Sequence, residues 1–456
     1  MRTSHRTSPW PAGALVALAL LVVALLAPAV ATAASGDLVW AKGIELGLAR
    51  EEFSDLAKGP NGTIYAVGRA NHSAGVGDVL VAKYSPRGKR LWKRVYDSSF
   101  HGDDYGAAIA VDGRGNAFVT GLSASSAHGL DALTIKYSSG GTRQWVRRYN
   151  GMADATDSGA DVAVDADGNA YVAMTSTVMG GMNIVVVKYR PGGGKAYETM
   201  WAGPSGDDYA KALTVDGRGR AYVVGRAGTA TAHANAVIVR LKTTGAVGWA
   251  RMYNGAASLD DEGLRVMLRG TSVYLMGRSQ REGGRSCLLA VRYGLTGARK
   301  WARVSDTAGS IDFVAGGWVD RYENVTVGGQ LSVAGPEGTR GVAVSWNKSG
   351  VFRWENTYYT TATTEAVGFS AVTGSAGGAV YCSGWADRGT AFDSLVVKYR
   401  KGGSLAWAQP FNSDPYEGAD SQCLLLTGGT TGGVYSGGAL SVGGASYSAV
   451  LLKYRP

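Results

Sequence analysis

The chain has 456 residues, of which 68 are Gly, 45% are hydrophobic and 18% are charged, and its formal net charge is +10. This composition excludes a disordered chain and supplies a large core, and so much Gly beside only 11 Pro points to many tight turns. The positive excess favours anionic partners but is spread along the chain, so no nucleic acid is expected among them.

The first residues read as a targeting signal. Arg2 and Arg6 precede an uncharged run from Leu15 to Leu26, and Ala31, Thr32 and Ala33 give the small-x-small pattern of a cleavage site. A secretory leader is expected over 1–33, with 34–456 exported and not inserted in a membrane after cleavage. An uncleaved anchor stays open, because the uncharged stretch from Pro11 to Gly36 is long enough to span. No Cys follows the run, so no lipid anchor is expected there. Cys287, Cys382 and Cys423 are too few and too odd for a disulfide framework. Three buried thiols are expected, with one bridge, Cys382 to Cys423, as the alternative.

From Ser35 onward the chain repeats itself. An aromatic slot falls at Trp40, Trp92, Trp145, Tyr197, Trp249, Trp301, Trp354 and Trp407, always 52 or 53 residues from the last. A Gly stands four residues before each one, from Gly36 to Gly403. Each unit holds four short strand signals, such as "AAIAVD", "NAFVTG", "DALTIKY" and "RQWVRRY", separated by Gly-bearing turns. Four antiparallel strands per period of about 50 residues is one propeller blade. A lone blade cannot bury both faces, so each blade must serve as its neighbour's core. Eight slots predict an all-β, eight-bladed propeller over 34–456. The first strand, "SGDLVW", begins in the turn where the last, "LLKYRP", stops, so it should complete the final blade.

The copies "DDYGAAIAVDGRGNAFVTG" from Asp103 and "DDYAKALTVDGRGRAYVVG" from Asp207 resemble the bacterial β-propeller repeat called SBBP. The likeness is tight from Asp103 to about Leu259 and looser beyond. It implies a propeller on exported or surface proteins and implies no reaction.

Counting 11 to 13 residues from each slot reaches an acid in every unit: Glu51, Asp104, Asp157, Asp208, Asp260, Asp312, Glu365 and Asp420. Each precedes an innermost strand, so a carboxylate ring is expected near the channel mouth. It either braces the blades or binds a ligand or cation, calcium being the cation that suits oxygen donors. No cofactor is expected. Lys83, Lys136, Lys188, Arg240, Arg292, Lys398 and Lys453 stand just before a second recurring position (Tyr84 in the first of these units, Tyr454 in the last), with Ser345 the exception, and offer themselves as ion-pair partners for the acids. Basic residues two after the slot (Lys42, Arg94, Arg147, Arg251, Arg303) should lie on outer strands, where charge discourages edge pairing. "DADGN", from Asp165, reads as a hairpin turn rather than a calcium loop.

Long variable loops share one face with the acids, and His72, His101, His128 and His233 fall in them, without metal-ligand spacing. That face is the expected binding surface. The leading reading is a secreted, monomeric, non-catalytic propeller that binds a cell-surface or envelope glycan, polymer or protein. The alternatives are a propeller enzyme, quinoprotein-like or a hydrolase or lyase using ring acids, and a purely structural envelope protein.

Overall fold

The structure, a computed structural model, describes residues 36–44, 50–73, 76–125, 129–231, 233–333, 338–359, 366–387, 392–411, 424–427, 433–441 and 447–456. Alternating small and β-branched residues make short strands, and Gly at positive φ closes the hairpins between them. In blade 2 the strands are Asp104–Val111, Ala117–Ala124, Leu130–Tyr137 and Arg143–Tyr149, paired antiparallel in chain order. Gly115 and Gly141 turn its two tight hairpins at φ 81° and 84°, where only Gly sits without strain.

Seven blades have this order: 50–96, 104–149, 157–201, 209–253, 261–304, 310–358 and 367–411. The eighth joins Leu424–Thr427, Val434–Ser441 and Tyr447–Tyr454 to the chain's first strand, Leu38–Ile44, which pairs antiparallel with Tyr447–Tyr454. The predicted closure is therefore present.

Every core straddles two blades. Val119 and Ile135 of blade 2 face Val67 and Val81 of blade 1, whereas Phe118 of the same blade packs with Val172 and Val185 of blade 3. The period of two sends alternate side chains to opposite neighbours. Eight such clusters serve eight interfaces, the last of them joining Ile44 and Tyr435 of blade 8 to Phe53 and Leu80 of blade 1.

The aromatic slot and the Gly four residues before it belong to one joint between blades. Each slot ring lies against the next blade's turn glycine: Trp40 on Gly88, Trp92 on Gly141, Trp145 on Gly193, and so on round to Trp407 on Gly36. A Cβ on any of these eight glycines would come within 2.5 to 2.9 Å of its neighbours at the joint. The indole N–H of Trp145 donates to Pro191 O at 3.0 Å, and that of Trp92 to Ser139 O at 3.0 Å.

Two sequence expectations change here. The residues two after the slot do more than charge an edge: Arg94, Arg147, Arg251 and Arg303 donate to the carbonyl of the docked glycine at 2.6 to 3.0 Å. The seven recurring bases do not meet the expected acids. Lys83, Lys136 and Lys453 donate to carbonyls of the next blade's turn at 2.9 Å, and each lies over an aromatic ring of its own blade. They stand at the tight-turn end of the sheet, and the acids stand at the other.

Candidate functional site

Among the described residues, three of the predicted acids fasten junctions between blades. Asp104, Asp157 and Asp208 are no more than 1% exposed. Asp104 accepts from Ser98 N at 2.7 Å and from the Ser123 hydroxyl, and Asp157 accepts from Gly151 N at 2.6 Å and Thr177 N at 3.1 Å. Asp208 accepts from Gly203 N at 2.5 Å and Gly228 N at 3.2 Å. Ser98, Gly151 and Gly203 lie in the segments that cross from the preceding blade, so each carboxylate fastens that crossing to its own blade. Burial pushes the Asp208 carboxyl up, against the pull of its two backbone donors. Glu51, also buried, holds the matching register in blade 1.

The fixed count drifts in the later blades. The register partner of Asp104 in blade 5 is Asp261, 1% exposed and accepting from Gly255 N at 2.6 Å. Asp260, one residue earlier, accepts from Ala234 N at 2.8 Å and lies 3.9 Å from Arg226. In blade 6 the place belongs to Ile311, and Asp312 bulges out to the Ser332 hydroxyl. In blade 7 it belongs to Val367. Glu365, Asp420, Cys423 and His128 lie outside the described residues, as does the His72 side chain. His101 bonds Asp97 at 2.7 Å between blades 1 and 2, and His233 sits 4.0 Å from Asp260 in blade 4, so the histidines serve separate places. Cys287 and Cys382 are buried free thiols. Asp165 accepts from Asp167 N and Asn169 N at 3.1 and 2.9 Å, which is the expected turn.

One carboxylate trio, Asp78, Asp97 and Asp104, brings oxygens within 4.8 Å of one another. Asp97 and Asp104 are engaged there by His101, Ser98 and Ser123.

Among the open cavities of the long-loop face, two adjoin each other across blades 4 to 6. One, of about 380 Å³, is lined by Asp207, Tyr209, Lys211, Arg226, His233 and Glu262. The other, of about 470 Å³, runs from Lys211 and Glu262 to Arg265, Arg278, Asp312 and Phe313. Lys211 and Glu262 line both, so the two form one trough. Glu262 is its hinge pin, 3.2 Å from Lys211 Nζ and accepting from Arg278 Nε at 3.1 Å. Inner-strand residues supply most of the wall. Tyr209, Glu262 and Phe313 share one register place in blades 4, 5 and 6, paired with Arg226, Arg278 and Gln330.

Further along the inner strands, the residue just after the bulge is Asp55, Asp161 and Arg265 in blades 1, 3 and 5. It is Ala108, Ala212 and Gly316 in blades 2, 4 and 6. Charged chains thus alternate with near-absent ones over blades 1 to 6, and blade 7, with Ala371 at this place, ends the pattern. Asp55 accepts from Ile109 N at 2.9 Å and Asp161 from Leu213 N at 2.7 Å, each bracing the next blade. Burial pushes Asp161 up to about 7, the Leu213 N–H and Arg265 pull it down, and Asp55 pushes it further up. Of these trough and channel residues, only His233 and Asp312 were singled out from the sequence. Stacking the repeats would have found the channel charges, since a charge replaces Ala at one fixed place in the period.

The class defined by this architecture is the eight-bladed β-propeller. No protein-family model matches the chain, and no curated protein matches it. Among solved structures, the polysaccharide lyase Uly1 aligns at a TM-score of 0.47 and 12% identity, over 88% of this chain and 89% of that one. The β-propeller domain of the Trilobed protease from Pyrococcus furiosus aligns at 0.42 and 7%, over 88% and 92%. The acylaminoacyl peptidase of Pyrococcus horikoshii aligns at 0.45 and 9%, over 85% and 57%. Likenesses at this level carry no argument about this chain.

Proposed function

We propose that this chain is an exported, non-catalytic binding propeller whose long-loop face takes a cell-surface or envelope glycan. The observation that carries the reading is the trough across blades 4 to 6. It is open and polar, it rests on paired strands rather than loop tips, and it offers the rings of Tyr209 and Phe313 beside fixed hydrogen-bonding groups. Concave sites with a few converging polar groups are where ligands bind, and flat rings beside such groups suit a chain of sugar rings. The leader pattern and the SBBP-like repeats support export to the envelope.

The test is binding of the mature protein to immobilised envelope polysaccharides and surface proteins. A Lys211→Ala/Glu262→Ala variant should lose glycan binding, and Tyr322→Ala, on the tight-turn face, should keep it. Retention by the trough variant, or release of new saccharide ends during incubation, would overturn the reading.

A further inference from the structure

Each charged side chain along the trough has a polar partner, with one exception. Lys211 and Arg278 are both held by Glu262, Arg226 faces Asp260, Asp207 accepts from Met182 N at 2.9 Å, and Asp312 bonds Ser332. Among the described residues, Arg265 alone on this wall has no hydrogen-bond or ion-pair partner. Its charge is balanced only at longer range, by Asp55 and Asp161 deeper in the channel. Arg265 is exposed, and it lines the same cavity as Phe313, whose ring is 47% exposed.

We propose that Arg265 is the anion subsite of the trough, receiving a carboxylate or sulfate group of a saccharide whose ring lies on Phe313. This rests on the glycan reading above and narrows it to acidic saccharides. A guanidinium offers forked donors that match both oxyanions. Exposed and unpaired, it gives up no internal bond when a ligand arrives. The apolar face of a sugar ring covers an aromatic ring that is otherwise wet. The group has room, because Gly316 of the next blade lies against the Arg265 side chain and leaves the space a larger residue would fill.

The experiment is titration calorimetry with two matched pairs: polygalacturonate against its methyl ester, and dextran sulfate against dextran. The wild-type protein should bind at least one acidic member about tenfold or more tightly than its neutral partner, as loss of one charge-assisted contact implies. Which pair discriminates identifies carboxylate or sulfate. Arg265→Gln should abolish that preference, and Phe313→Ala should weaken acidic and neutral chains alike. Arg114→Gln removes an equal charge from the tight-turn face and should change nothing, which separates the subsite from the general attraction of a basic protein. Equal binding of acidic and neutral chains overturns the subsite and leaves the glycan reading standing. An Arg265→Gln protein that melts like wild type and keeps the preference also overturns the subsite. Absence of binding to all four chains overturns both.

Discussion

At the scale of single residues, the same carboxylate chemistry does two different jobs. Asp157 is buried and accepts two backbone N–H groups across a blade junction. Asp157→Ala should leave those donors without partners and cost about 2–3 kcal/mol in denaturant unfolding. Asp312, exposed in a bulge, should cost no more than about 0.5 kcal/mol when changed to Ala. Asp161 carries a pH dependence. Its folded-state carboxyl is pushed up to about 7, above an ordinary value of 3.8, so the folded state holds the proton more tightly than the unfolded chain. Its contribution to stability is present at acid pH, declines as pH rises from about 4 towards 7, and is gone above that. Asp161→Asn cannot ionise. Melting temperatures of wild type and variant across pH 5 to 8 should therefore shift relative to each other, with the variant gaining on wild type as pH rises. A constant offset would contradict the assignment.

At the scale of the element, the unit of construction is the joint between an outer-strand aromatic and the next blade's turn. Gly193 has φ of 83°, and a Cβ there would lie 2.8 Å from the Trp145 ring. Gly193→Ala should cost about 2 kcal/mol through strain and overpacking, and Trp145→Ala about 3–5 kcal/mol through the cavity it leaves. Combining the two should cost less than their sum, because the part of the clash made with the ring disappears and only that with Arg147 stays, and a double-mutant cycle by chemical denaturation measures that coupling. This joint also explains what was legible beforehand. Slot and glycine repeat at fixed spacing because one contact needs both, so the period reveals the blades. The acids were harder to place, since their count from the slot spans the crossing between blades. There Asp260 stands one residue before its register neighbour Asp261, and the blade 6 bulge displaces Asp312. The bases were assigned the wrong partner because spacing says how far apart two residues are, and not at which end of a strand they stand. Arg265 was missed because a single charge among inner-strand alanines looks like drift until register aligns it with Asp55 and Asp161.

At the scale of the whole molecule, eight interfaces of the same kind close on themselves, and each blade's apolar faces are covered by two neighbours. Removing residues 36–44 takes away the outer strand of blade 8, the Gly36 that docks on Trp407, and the Trp40 ring that docks on Gly88. It also bares the edge of Tyr447–Tyr454 to pairing with another chain. Calorimetry of the shortened protein should show a lower and broader transition, and size-exclusion chromatography should show association. A sharp transition at the wild-type temperature would mean that the ring does not depend on this strand.

The final blade also sets a schedule. Of the blade strands, Leu38–Ile44 is made before all the others and its partner Tyr447–Tyr454 after them. Blades 1 to 7 can stack in turn, while the opening strand stays unpaired until the last blade is in place. Contacts between such distant segments form late and slowly. An interrupted product is then left with an open ring and a raw edge, a state that a quality-control protease could tell from the finished molecule.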